Sequence, residues 1–218
     1  ASDGSSAVID ASLLGALETC DTCFLSGSTA DCSTAPAGPG ASGVDFILFV
    51  SAVHTAPCDA STLAYASACQ RDQYDRPVLG YANFCPSALS LDPADWSLQL
   101  STAVHELLHA LGFSSDSWAL FRYPDGSPRT PRGSDDRPEV VTTACTDGVD
   151  RNIRAASSNT IVVSMQGDVT IHRMVTPRVR AVARDIFGCD SLDGANLENQ
   201  PTGAGKCYGS HWEQRLFM

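Results

Sequence analysis

The chain has 218 residues, 43% of them hydrophobic and 18% charged, which suits one substantial core or a core with a small appendage. Lys and Arg number 14 against 25 Asp and Glu, a formal charge of -11, and this excludes a nucleic-acid partner, whose phosphates call for the opposite sign. No stretch approaches the roughly 18 apolar residues of a membrane span, and residues 1–10 have neither the basic nor the apolar region of a secretory leader, so any leader is expected to have been removed.

In chain order, residues 8–17 form a short apolar segment, and residues 20–43, rich in Cys, Ser, Thr, Gly and Pro, read as an irregular cross-linked loop. Cys20 and Cys23 are two of 9 cysteines, but no second close pair follows to make a zinc knuckle. Disulfides in an oxidising compartment are the expectation, and an odd count leaves at least one cysteine free or paired with another chain. Residues 44–50, a nearly unbroken apolar run, read as a central strand. Residues 60–70 read as a short helix, and Cys58–Cys69 is the first pairing expected because the two flank it.

The best helix covers residues 96–111, with Asp95 or Ser97 to cap its start and Gly112 to end it. At 100° per residue, Leu100, Val104, Leu107, Leu108 and Leu111 fall within about 100° of one another, the stripe expected to enter a core. Residues 122–139, with four prolines, two glycines and many charges, read as an exposed loop. Residues 160–165 and 169–175 read as a hairpin turning at Gln166-Gly167-Asp168. A second helix opens at Thr176-Pro177 and closes at Gly188, with Val179, Val182, Ala183 and Ile186 as its apolar stripe. Residues 189–210 read as irregular and Gly-rich, a flexible approach that lets His211 swing toward a distant site, and Cys189–Cys207 is the pairing expected to pin them.

The chemistry sits on the first helix. His105-Glu106-Leu107-Leu108-His109 has the form H-E-x-x-H, in which residues four apart stand one above the other and can share one metal ion. Imidazole suits zinc, a Lewis acid without redox side reactions. Glu106 projects about 100° from His105, where it can accept a proton from water activated by the metal and later deliver one to the leaving amine. A catalytic zinc takes three protein ligands. Ser115 occupies the place of the third histidine in H-E-x-x-H-x-x-G-x-x-H, leaving His54, His172 and His211. His54 and His172 are read as structural histidines on strands, and His211 as the ligand.

The stretch from His105 to Ser114 resembles the leishmanolysin-like metalloproteases, a branch of the metzincins. The resemblance extends to Cys69-Gln70-Arg71-Asp72, Arg76-Pro77, Phe84-Cys85-Pro86, Val175-Thr176-Pro177-Arg178-Val179, Phe187-Gly188-Cys189-Asp190-Ser191-Leu192, Leu197-Glu198-Asn199-Gln200 and Gly209-Ser210-His211-Trp212-Glu213, covering most of residues 44–218. It implies an α+β, metzincin-like zincin fold: a twisted mixed sheet packed on the H-E-x-x-H helix, with a long subdomain inserted before the third zinc histidine. Residues 1–112 would then be the N-terminal catalytic subdomain, 113–210 the insertion and 211–218 the start of the C-terminal catalytic part. It further implies a Zn2+-dependent endopeptidase acting on protein or peptide substrates, secreted or held at the cell surface, with Glu106 as general base and His105, His109 and His211 as ligands. A methionine turn should lie beneath the zinc. Met218 is too close to His211 to supply it, residues 212–218 read as the start of a helix, and a second polypeptide carrying the missing part is expected. The competing reading is an inactive family member serving in structure or adhesion, although Glu106 is intact; a purely disulfide-rich binding module would not need the motif at all.

Overall fold

Branched and aromatic side chains in the run Ile47-Leu48-Phe49-Val50 favour extended backbone, and strand β3 spans Ile47–Ser51. In the computed structural model, which describes residues 17–20, 32–35, 43–59, 61–145, 149–198 and 207–213, the chain divides into two compact units, residues 2–112 and 113–218.

In the first unit, β1 (Leu17–Cys20) pairs antiparallel with β2 (Cys32–Ala35). A second sheet has the order β3-β5-β4: β5 (Pro77–Phe84) runs parallel to β3 and antiparallel to β4 (Ala64–Arg71). Asp72 builds the β4–β5 turn, its Oδ1 accepting the N–H groups of Tyr74 and Arg76, each at 2.9 Å. Asn83, fully buried on β5, holds the end of β3: its Oδ1 accepts from the Ser51 hydroxyl at 2.7 Å and the Val53 N–H at 3.0 Å. Helix α1 (Trp96–Ala110) packs on β4 and β5, so a mixed sheet lies against the motif helix.

In the second unit, β6 (Val141–Ala144) and β7 (Asp150–Ile153) form one hairpin. The strands β8 (Ile161–Gln166) and β9 (Val169–Met174) form another, joined by Gly167 and Asp168, and β10 (Ala195–Asn196) extends it in the order β10-β9-β8. Helix α2 (Pro177–Phe187) follows and ends on Gly188, whose φ of 58° is left-handed. The core gathers Trp118, Ile161, Met174, Leu197 and Tyr208, with the Cys145–Cys207 disulfide among them.

Several expectations are corrected. The run 44–50 contributes an edge strand among the described residues, with Phe49 and Val50 exposed. Most of the stretch expected as a helix over 60–70 belongs to β4 (Ala64–Arg71): pairing with β5 overrides its alanine-rich helical preference. Within residues 20–43 the described part includes β2. Cys58 bonds Cys85 instead of Cys69, which is disulfide-bonded elsewhere, and Cys207 bonds Cys145, leaving Cys189 as the free thiol among the described residues. The stripe Leu100, Val104, Leu107, Leu108 and Leu111 is exposed; α1 buries Glu106 and Ala110 instead. On α2, Val179 joins the core and Ala183 is buried, but Val182 and Ile186 are exposed. Asp95 makes no side-chain cap; Asp92 caps the preceding turn through the Ala94 N–H at 2.9 Å. Within 122–139, Arg129 and Thr130 are buried, Arg129 donating to the Asn159 carbonyl and lying 4.4 Å over the Tyr123 ring. The helix expected from residue 212 gives way to extended chain at its start, where Trp212 bridges Leu197 and the Glu213 N–H donates to the Asn196 carbonyl at 2.9 Å. Of the apolar segment 8–17 only Leu17 is described, and Cys23 and Met218 lie outside the described residues.

The Cys145–Cys207 bond closes a separation of 62 residues, and by chain entropy it should stabilise the fold by about 4 kcal/mol. The double variant Cys145→Ala, Cys207→Ala is expected to lose that amount in urea unfolding; an unchanged midpoint would show that the bond constrains nothing.

Candidate metal centre

The motif helix reaches its place by close approach. A Cβ on Gly80 of β5 would come within 2.7 Å of the Phe46 ring and 3.0 Å of the Ala110 Cβ, so only glycine lets this end of α1 lie so near the strand. Glu106, one turn before Ala110, is buried with it. Gly112 ends the helix with φ at 105°, a value other residues adopt only under strain, and its N–H donates to the His109 carbonyl at 3.0 Å.

His105 and His109 stand on the neighbouring face of α1, with Nε2 atoms 3.0 Å apart and rings edge to face at 4.7 Å. Two Zn–N bonds of about 2.0–2.1 Å meeting at a tetrahedral angle would set their nitrogens about 3.4 Å apart. The observed spacing therefore fits two ligands of one ion after a small ring adjustment, and both residues are among the side chains able to hold a metal. The donor set fits zinc: two imidazoles, with a buried carboxylate between them in sequence.

His211 belongs to the second unit. Its Nδ1 lies 2.9 Å from Glu198 Oε1, and the Ser210 N–H donates to the same oxygen at 2.9 Å. Burial pushes the Glu198 carboxyl up, but the His211 hydrogen bond and the N–H groups of Ser210 and His211 outweigh it and hold it below the usual carboxylate range. The segment carrying His211 is tied down, contrary to the swinging approach expected of its glycines. Cys207 is disulfide-bonded, the Trp118 indole N–H donates to the Gly209 carbonyl at 3.4 Å, the Ser115 N–H donates to Ser210 Oγ at 3.0 Å, and Trp212 stacks near Phe113 at 4.9 Å. Ser115, standing in the place of a third histidine, thus fastens the segment that carries His211.

The remaining histidines sit elsewhere. His54 lies exposed after β3, and His172 is fully buried in β9, its ring 5.1 Å from that of Tyr208. Glu198 was not singled out by sequence reasoning. Its stretch was part of the resemblance, but nothing in the spacing links it to a residue thirteen positions on, across a chain reversal.

Comparison with known proteins places the chain in a family. The family model for leishmanolysin matches residues 20–218. A leishmanolysin-like peptidase of Caenorhabditis elegans is 42% identical over 207 residues, covering 89% of this chain and 30% of that protein. One from Drosophila melanogaster is 39% identical over 213 residues, 92% of this chain and 30% of the relative. A ciliated left-right organizer metallopeptidase of Mus musculus is 30% identical over 186 residues, 84% and 23% respectively. The chain thus spans less than a third of the length of these relatives.

Proposed function

Because the chain belongs to the leishmanolysin family, we propose that it carries the metal centre of a zinc-dependent endopeptidase, with His105, His109 and His211 as ligands and Glu106 as general base. The observation that carries this is the pairing of two Nε2 atoms at 3.0 Å on one helix face, with a buried glutamate beside the first of them. Zinc, when bound, supplies Lewis acidity and makes water a nucleophile near neutral pH. Glu106 accepts the proton of the attacking water and returns one to the leaving amine. Its burial keeps bulk water from competing for that proton. His105 and His109 keep their Nε2 lone pairs for the metal, since a protonated ring ligates nothing.

Substrates are proteins or peptides. The three-part division at residues 112 and 210 and a methionine turn beneath the metal rest on the family resemblance. The Cys58–Cys85 and Cys145–Cys207 disulfides favour an oxidising, exported setting, in solution or at the cell surface, and no helix among the described residues is long and apolar enough to cross a membrane.

A chelator should abolish hydrolysis of a casein-type substrate and added zinc should restore it, with one equivalent of zinc in the active protein. Hydrolysis that persists in protein shown to be free of metal would overturn the function.

A further inference from the structure

We propose that Glu198 is a positioning residue for the third zinc ligand: its carboxylate accepts the Nδ1–H of His211 and thereby fixes the tautomer in which Nε2 carries the lone pair for the metal. This rests on His211 being a ligand.

A neutral imidazole exists in two forms, and a metal can use only the nitrogen without a proton. A ring whose Nδ1 is held 2.9 Å from a carboxylate oxygen that already accepts the Ser210 N–H donates there, so it ligates through Nε2 alone. Such a carboxylate also raises the donor strength of the ring. The contact is built from both directions. Glu198 Oε1 receives the Ser210 N–H, and the Glu198 N–H donates to the His211 carbonyl, each at 2.9 Å. Leu197 and Trp212 form an antiparallel bridge just beyond, and Asn196, which accepts from the Glu213 N–H, is held by Arg173 Nε of β9 at 2.9 Å. The carboxylate is therefore oriented from the β-sheet outward.

A surface ion pair would contribute about 0–1 kcal/mol and impose no orientation. This pair differs in burial: the Glu198 side chain is 15% exposed against 42% for His211, so the carboxylate is the buried partner of the contact. Gly209 is part of the device. A Cβ there would overlap the Glu198 carboxylate and its adjoining carbon, so the chain must present a bare backbone for the acid to reach His211.

The test uses 15N-histidine-labelled protein and zinc competition against a chelator. In the zinc-free protein, His211 is expected in the Nδ1–H form by its ring 15N shifts, and Glu198→Ala is expected to shift it toward the other tautomer. Zinc affinity should fall about 10–100-fold in Glu198→Gln and Glu198→Ala, and more in His211→Ala. Gly209→Ala should fall with the Glu198 variants. Should Glu198→Ala not fold, the wild-type tautomer and the isosteric Gln variant still decide the matter. An Nε2–H tautomer in the wild type, or wild-type affinity in Glu198→Gln while His211→Ala binds weakly, would overturn the positioning role and leave the metal site standing. Undiminished affinity in His211→Ala would instead remove the ligand assignment itself.

Discussion

Glu106→Gln is expected to bind zinc as the wild type does and to lose peptide hydrolysis by about 10²–10⁴-fold. Gln has nearly the volume of Glu, so the buried position beside Ala110 stays filled. What disappears is the proton acceptor. The amide cannot take a proton from water, nor deliver one to the departing amine. Both imidazoles remain one turn apart on α1, so metal content is unaffected. Zinc analysis alongside hydrolysis of a casein-type substrate separates the two effects. Full activity in the variant would sink the mechanism. A zinc-loaded wild type with no hydrolysis would favour instead an inactive member that serves in structure or adhesion.

The second large effect is loss of the metal itself. His109→Ala and His211→Ala are each expected to weaken zinc binding by more than the 10–100-fold of an outer-shell change, whereas His54→Ala, altering an exposed side chain after β3, should leave it unchanged. Binding adds stability by mass action: zinc at a thousandfold over its Kd raises the unfolding free energy by about 4 kcal/mol. Wild-type protein should gain this on zinc addition and the two ligand variants should not, which thermal unfolding with and without zinc would read directly. Equal zinc stabilisation in His109→Ala would exclude the motif pair as ligands.

The parts of the fold legible in the sequence were those whose determinants are local. The C-terminal ends of α1 and α2 follow from glycines that take positive φ, Gly112 and Gly188, and the start of α2 from Pro177 in its first turn. The β8–β9 hairpin follows from its apolar strands around Gly167. The motif pair follows from helical spacing alone. What the sequence hid depends on partners far along the chain. Residues 64–71 become a strand only because β5 lies beside them. Cysteine pairing is invisible in spacing, since Cys58 reaches Cys85 over a separation of 27 residues and past the nearer Cys69. The α1 stripe showed that one helix face is apolar, but not which face the sheet takes; small residues at Ala110 and Gly80 decided that. Glu198 was hidden for the same reason as the disulfides, because only the folded chain brings residues 196–198 beside 211–213.

The Cys145–Cys207 bond is the covalent anchor of the segment that carries the proposed third ligand. Cys207 stands four positions ahead of His211, and until it is oxidised the segment that carries this histidine is tethered by hydrogen bonds and ring contacts alone. A newly made chain in a thiol-rich compartment therefore lacks the covalent anchor of one of its proposed zinc ligands, and gains it only where an oxidant closes the bridge. Ordinary laboratory practice meets the same dependence: a reducing agent added to protect Cys189 would also loosen the strap on which His211 is carried.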